Sequence, residues 1–189
     1  MVNLSGGALQ TDGGGLVSGA TVTTSAGALF DVNGNETVAA LSNAGTTDIA
    51  AGTVLSSTDV TNTGAITNAG TLASMNTIAN NAGGTLTTTG VVNGGLNNSG
   101  TVNASGTLNG AVVNAGVFNV AGVGTVGTAT VNGNFAQGVA GTFAVDVDAA
   151  SNTNDHFVVS GTCLLYTPDA ADEYRCRILG GPGIVSGNR

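Results

Sequence analysis

The chain has 189 residues and a formal net charge of −8; 32 residues are glycine, 7% are charged and 4% are aromatic. Charged residues normally supply about a quarter of a globular domain, so uncharged polar groups must form most of this surface. The negative charge argues against nucleic-acid binding through phosphate neutralisation, and no apolar run is long enough for a membrane helix. Because glycine, asparagine and threonine are poor helix formers, a repetitive β architecture is predicted.

The amino end shows no targeting signal. Residues 1–7 have no basic start, no apolar core and no small-residue cleavage site. The sequence therefore predicts either a protein that stays inside the cell or an interior piece of a longer gene product. Three glycines at 13–15 follow Asp12 and predict a flexible corner, since no strand and helix flank them as a phosphate loop requires.

From residue 43 onward a short unit recurs. It consists of asparagine, a small residue, glycine, and then threonine or a small residue before an apolar one. Gly45, Gly64 and Gly83 lie 19 residues apart in this pattern. Such self-similarity is typical of stacked repeats. The unit or a close variant of it occupies residues 43–46, 62–66, 68–72, 81–86, 98–102, 104–108 and 114–118.

Each unit predicts a corner followed by a short strand. Asparagine and glycine tolerate positive φ, and a following Thr-Leu or Thr-Val pair places one apolar side chain inward and its polar neighbours outward. Strands this short bury a core only by stacking coil upon coil. We therefore predict an all-β fold, a right-handed parallel β-helix (β-solenoid) without substantial helix, for residues 1–162. An antiparallel hairpin array is the alternative.

The repeat length also predicts the size and surface of the solenoid. At ~16–19 residues per coil, residues 1–162 give roughly nine short rungs. Threonine and asparagine at equivalent positions are expected to form hydrogen-bonded ladders along the outside of the rod. A narrow coil has room for valine, leucine and alanine but for few rings, in keeping with the low aromatic content.

Several oxygen-bearing side chains near residue 150 are candidates for calcium binding: Asp146, Asp148, Asn152, Asn154 and Asp155. Neither EF-hand spacing nor the glycine-rich nonapeptide of calcium-binding β-rolls is present. We instead expect Asp146 and Asp148 to alternate outward on a strand whose buried positions fall among Ala144, Val145 and Val147. No metal ligand is therefore predicted.

His156 is the one histidine of the chain. Together with Ser160 and Asp155 it could form a nucleophilic triad, but strand alternation puts His156 and Ser160 on one face and Asp155 on the other. Residues 1–162 also lack the lysine or arginine with which solenoid lyases hold an acidic sugar. The sequence predicts no enzyme, with no catalytic, cofactor-binding or metal-binding residue and no cofactor.

The composition changes abruptly at residue 163. Both cysteines, both tyrosines, both prolines and all three arginines lie in residues 163–189. The run from Cys163 to Glu173 resembles a translated sequencing-library adapter, so residues 163–189 are interpreted as a non-native or disordered tail and excluded from fold reasoning. A small disulfide loop or metal pair made by Cys163 and Cys176 is the alternative.

Two segments resemble a known family. Residues 27–45 carry an apolar strand ending in Asp-x-Asn-Gly-Asn, then Thr-Val-x-x-Leu and a glycine turn, similar to the repeat of autotransporter passenger domains. Residues 131–162 resemble the last passenger rungs before the translocator barrel. The family commonly has Tyr-x-Gln where this chain has Phe135-Ala136-Gln137, and often arginine where it has His156.

The resemblance implies a fragment of a bacterial type V secretion passenger. Such a passenger is exported through its own C-terminal translocator β-barrel, which is missing from this fragment, and serves at the cell surface as a stalk or adhesin-like structure. It would be outer-membrane-tethered or secreted, with a possible host-cell or matrix surface ligand as partner and no membrane insertion of this segment. Residues 131–162 would act as the folding nucleus.

Two alternatives stay open at the level of sequence. A solenoid adhesin similar to filamentous haemagglutinin, without a barrel of its own, would share the repeat and the surface location. A solenoid carbohydrate-active enzyme would need basic residues in parts of the protein outside this chain.

Overall fold

The computed structural model describes residues 1–16 and 19–165 and the backbone of residues 174–175. These residues form strands and no helix, arranged as a parallel β-solenoid of about 7 turns. The all-β solenoid prediction is confirmed, and the hairpin array is not what forms. No helix long and apolar enough to cross a membrane occurs in the described part of the chain.

Fewer turns form than the roughly nine predicted because the last turns are long. In the middle of the rod, equivalent residues of successive turns lie 16 to 20 residues apart. Near the C-terminal end the separation rises to 23 residues between Asn114 and Gln137 and to 28 between Gly127 and Asp155. Extra chain in these turns leaves the rod as loops rather than adding rungs.

Each turn contributes strands to three faces, which we call A, B and C in the order in which the chain visits them. Face A contains Val2–Leu4, Thr21–Thr24, the second halves of Glu36–Asn43 and Val54–Asn62, Ile78–Asn80, Leu96–Asn98, Val112–Asn114, Phe135–Gln137 and Cys163–Leu165. Face B is an 8-stranded sheet of Gly7–Thr11, Ala28–Val32, Thr46–Ile49, Ala65–Asn68, Thr85–Thr88, Thr101–Ala104, Val117–Val120 and Thr142–Ala144.

Face C contains the first halves of the two long strands, Glu36–Asn43 and Val54–Asn62, which join it to face A. Its other strands are Thr71–Ser74, Val91–Asn93, Thr107–Asn109, Thr128–Asn132 and His156–Val159. Two antiparallel pairings occur in the described residues: Val147–Asp148 with Thr153–Asn154, and Cys163–Leu165 with Tyr174–Arg175. All other strand pairs of the described residues are parallel.

The core is a set of apolar columns, because parallel in-register stacking places like positions above one another about 4.8 Å apart. Each short strand turns one or two side chains inward and its other side chains outward. The apolar residue that follows threonine in the repeat is buried, as predicted. Buried column members include Val22, Leu41, Val60, Ile78, Leu96 and Val112 on face A, Ile66, Leu86 and Val102 on face B, and Leu55, Leu72, Val92 and Leu108 on face C.

Aromatic rings are confined almost entirely to the C-terminal end of the core. Phe118, Phe135, Phe143 and Phe157 all contact one another, with ring centroids 4.8–6.0 Å apart. Most of these pairs are edge-to-face or tilted, the arrangement that ring quadrupoles favour. The last turns are therefore filled by one aromatic cluster, whereas the middle turns are filled by aliphatic columns.

Glycines of the repeat are required by the close approach of successive turns. A Cβ on Gly64 or Gly106 would collide with the carbonyl oxygen of the glycine one turn earlier. Neither residue has positive φ, and the asparagines of the repeat do not have it either. Our interpretation of the unit as a positive-φ corner is therefore wrong at these positions, and among the glycines of the unit it holds at Gly83, with φ of 86°. The left-handed requirement applies to Asn-Gly pairs of another corner, such as Gly94 and Gly110, with φ of 120° and 141°.

Four asparagines of the repeat, together with Asn80 and Gln137, form a buried ladder through the rod. Its side chains occupy equivalent positions in successive turns and are at most 5% exposed. At each step the side-chain amide nitrogen donates to the side-chain oxygen of the next member at 2.6–2.8 Å. The same nitrogen donates to a backbone carbonyl of the next turn. The members are Asn43, Asn62, Asn80, Asn98, Asn114 and Gln137.

This buried ladder corrects the predicted position of the polar ladders. A primary amide carries both donors and an acceptor, so stacked copies satisfy one another inside the core, where unpaired polar groups are costly. Shorter ladders do lie on the outside, as predicted. Asn109 donates to Asn93 and Asn132 donates to Asn109, both at 2.8 Å, on face C.

Candidate functional site

The structure separates the three residues of the possible triad. His156 and Ser160 are exposed, whereas Asp155 is buried. Both carboxylate oxygens of Asp155 accept backbone N–H groups, Oδ1 from Gly127 at 2.8 Å and Oδ2 from Asp146 at 2.7 Å. The predicted alternation is confirmed. A carboxylate turned inward in this way does not orient the imidazole, and the arrangement offers no activated nucleophile.

The candidate calcium ligands also bond to the protein itself. Oδ2 of Asp146 accepts the backbone N–H of Gly124 at 2.7 Å. Asp148 accepts the hydroxyl of Ser151 and the backbone N–H groups of Ser151 and Ala150, and these bonds lower its pKa, the hydroxyl most strongly. Within the described residues no three His, Cys, Asp or Glu side chains are grouped closely enough to hold a metal ion.

Our expectation for the valines around Asp146 is wrong. Val145 and Val147 are both exposed, not buried. The chain leaves face B after Thr142–Ala144 and turns outward, so that Val147–Asp148 pairs with Thr153–Asn154 in a hairpin beside the rod. The alternation that predicted buried valines holds only for a strand that continues along the solenoid.

Two insertions meet at the corner between faces B and C, and together they form what we call the knob: residues 121–127 and 145–155. They belong to successive turns and are joined by the bonds of Asp146 and Asp155 to Gly124 and Gly127. A further bond runs from the backbone N–H of Asp155 to the carbonyl of Asp146 at 2.9 Å. Because carboxylates hold both insertions at their bases, the knob is a fixed projection from the rod.

The knob could have been noticed in the sequence as an interruption. The Asn-x-Gly unit stops after residues 114–118, and residues 121–127 and 145–155 contain no copy of it. What the sequence does not reveal is which carboxylate is buried, since Asp146, Asp148 and Asp155 are the same residue type within one short region.

Outward-facing side chains divide the rod by charge. Asp31 and Asp48 are register neighbours on the outside of face B, and Asp59 is exposed on face A. The described strands of face C carry no outward Asp, Glu, Lys or Arg; their outward positions hold threonine, valine, serine, alanine and asparagine, with His156 at the end. The one acidic residue of that face, Glu36, points inward and accepts the N–H groups of Gly15 and Leu16.

No protein-family model matches this chain, and no curated protein and no solved structure is significantly similar to it.

Proposed function

We propose that the chain is a fragment of a bacterial autotransporter passenger, a surface-exposed or secreted β-solenoid that acts as a stalk or adhesin-like surface. The observation that carries the proposal is the fold: residues with passenger-like repeats build a parallel solenoid of about 7 turns. A solenoid of this kind is quasi-one-dimensional, so its length can vary by whole turns without a change in local packing. That property suits a spacer.

Charge supports export of an unfolded chain. Residues 1–162 contain no lysine and no arginine, and most outward side chains are hydroxyls, amides and small apolar groups. The proposed mechanism is vectorial passage of this low-charge chain across the outer membrane, followed by rung-by-rung folding outside the cell.

The distribution of aromatic residues supports folding that starts near residues 131–162. Phe135, Phe143 and Phe157 lie in this segment, and with Phe118 they form a cluster in which each ring contacts the other three. A contact set that joins successive turns is what a nucleus needs, because isolated rungs bury too little surface to be stable. Deletion of residues 131–162 should therefore slow the folding of the upstream turns.

The end of the amide ladder supports the interpretation of residues 163–189 as foreign. Most of this segment lies outside the described residues, Cys176 included, but the strand Cys163–Leu165 pairs with Phe135–Gln137. It places Leu165 in register with Gln137, where the preceding turns have asparagine or glutamine. The Nε2 of Gln137 is buried and has no hydrogen-bond partner. A polar residue at that position would continue the ladder.

The genomic reading frame beyond codon 162 is the most informative test. We expect it to continue, free of adapter sequence, into the strands of a translocator domain. A frame that ends without such strands beside a separate transporter gene would instead favour the adhesin similar to filamentous haemagglutinin.

Export can be tested directly by placing residues 1–162 between a secretion signal and an autotransporter translocator in a Gram-negative host. We expect a folded passenger on the cell surface that external protease digests only after denaturation. A matched fusion of residues 1–130 should reach the surface but stay protease-sensitive. Retention of both fusions in the periplasm would contradict the proposal.

A further inference from the structure

The knob carries four of the exposed valines of the described chain. Val123 and Val147 are 83% and 75% exposed, and Val145 and Val126 are also exposed. Val123, Val145 and Val147 each lie next in sequence to a residue of the Gly124–Asp146 hydrogen bond, which measures 2.7 Å. Three exposed valines therefore flank the bond that joins the two insertions, and grouped exposure of this kind marks interaction sites more often than scattered exposure does.

Hydrogen bonds fix the shape of the knob before any partner binds. The buried carboxylate of Asp155 joins the two insertions, and Asp148 closes the hairpin turn through Ala150 and Ser151. The hydroxyls of Ser151 and Thr153 bond to each other at 2.7 Å. A surface held in this way loses little conformational entropy when it is covered, which favours binding.

The charge on the knob indicates the chemistry of the partner. Asp148 is exposed beside Val147, and Asp146 lies between Val145 and Val147. Asp148 is ionised at neutral pH, since the ordinary pKa of its carboxyl is 3.8 and hydrogen bonds from Ser151 and Ala150 lower it further. No lysine or arginine occurs in residues 1–165, so the carboxylates are not neutralised by basic side chains of that part of the chain.

We propose that the knob is a docking site for a protein partner whose surface has an apolar recess bordered by lysine or arginine. The valines fill the recess, and the carboxylates of Asp146 and Asp148 face the basic border. Anionic membranes and nucleic acids are repelled by the same carboxylates. A second copy of residues 1–165 has no lysine or arginine to offer and so does not fit. The inference goes beyond the proposed surface role and holds whether or not the chain is exported.

Binding can be tested with the full chain and an immobilised panel of apolar peptides that carry either lysine and arginine or glutamate. We expect binding to the basic panel, stronger at low salt because exposed charges are screened over about 10 Å at 0.1 M. The double variant Val123→Ser with Val147→Ser should bind roughly tenfold more weakly or not at all. Val139→Ser is the matched control, since Val139 is 73% exposed but lies outside the knob, and it should bind like the wild type.

A charge variant and two folding checks complete the experiment. Asp148→Asn should weaken binding and reduce its dependence on salt. The valine variants should keep the far-ultraviolet spectrum and the thermal midpoint of the wild type, because the altered side chains are exposed. Asp148→Asn should keep the far-ultraviolet spectrum, because the bonds of Asp148 lie within the hairpin of the knob. Equal binding to both panels, absence of binding to either, or equal loss with Val139→Ser would overturn the proposal. So would a dimer, detected by sedimentation, that the double variant abolishes.

Discussion

The middle turns and the C-terminal turns of the rod are stabilised in different ways. Between residues 41 and 118 each turn repeats after 16 to 20 residues, and the amide ladder and stacked glycines run through the corners. Beyond residue 118 the turns lengthen, four phenylalanines fill the core, and buried or half-buried carboxylates hold two insertions. The regular middle turns are thus stabilised by stacked amides that bond to one another. The longer C-terminal turns are stabilised by the phenylalanine cluster.

This difference shows which parts of a solenoid can vary. A turn of the middle region is constrained at several positions at once, because each ladder amide and each corner glycine contacts its equivalents above and below. A C-terminal turn can accept an insertion because the stacking of its strands rests on the rings. The knob is found where the ladder is near its end.

The largest effect is expected from removing a ring. Phe135→Ala should lower the free energy of unfolding by about 3–5 kcal/mol, the usual cost of emptying a phenylalanine site, because Phe135 is fully buried and contacts three other rings. Denaturant unfolding measures the change. Phe135→Leu should cost clearly less, and equal losses in the two variants would show that the cluster is not what stabilises these turns.

A smaller loss is expected from interrupting the amide ladder. Asn98→Ala removes the bonds to Asn114 and Val117 and leaves the Nδ2 of Asn80 without its side-chain acceptor. Unsatisfied buried groups cost about 1–3 kcal/mol each, so we expect a total near 2–3 kcal/mol in the same assay. Asn97→Ala, one residue away and exposed, should change stability by less than about 0.5 kcal/mol. Similar values for the two variants would refute a buried ladder.

Corner glycines should tolerate a methyl group poorly. Gly106→Ala would press a Cβ against the backbone of the preceding turn, and overpacking of this kind costs about 1–3 kcal/mol. Gly6→Ala provides the comparison, because nothing lies within 4 Å of its Cβ position. Thermal unfolding of the two variants should differ, with Gly6→Ala close to the wild type.

The smallest effect concerns the hairpin of the knob and its dependence on pH. Hydrogen bonds from Ser151 and Ala150 lower the pKa of Asp148 below its ordinary value of 3.8. Its stabilising contribution is therefore complete above that ordinary value and is lost as the pH falls through the lower, folded-state value. Amide exchange at Ala150 and Ser151 should accelerate over this acidic range. The Asp148→Asn variant should lack this acid-dependent step in amide exchange. If the step persists in the variant, a group other than Asp148 causes it.

Much of the fold could be predicted because the repeat is local. The position of the apolar residue after each Thr, such as Leu72 or Leu86, predicts that its side chain is buried. The composition also argues against helices. The number of turns could not be predicted from the period alone, since extra residues after Val120 and Ala144 form the knob instead of rungs. In the sequence alone, residues that form an external loop cannot be distinguished from residues that form a further rung.

The side on which the repeat asparagines lie was the main error. Asn62 precedes a glycine by two residues, a pattern typical of turns, yet it occupies an inward strand position and bonds to Asn80 at 2.8 Å. Only the register between turns shows whether such an asparagine lies at a corner or in the ladder. That register depends on contacts between residues 16 to 20 positions apart in the sequence. For the same reason the sequence placed Asp146, Asp148 and Asp155 together without showing that Asp155 alone is buried.

Hydrogen exchange of the asparagine side-chain amides, followed by nuclear magnetic resonance on the full chain, tests the central claim most directly. If the repeat builds a rod with an internal amide ladder, the Nδ2 protons of Asn62, Asn80 and Asn98 will exchange far more slowly than those of Asn97. Side-chain amides that all exchange at the rate of Asn97 would contradict both the ladder and the stacked turns that it joins.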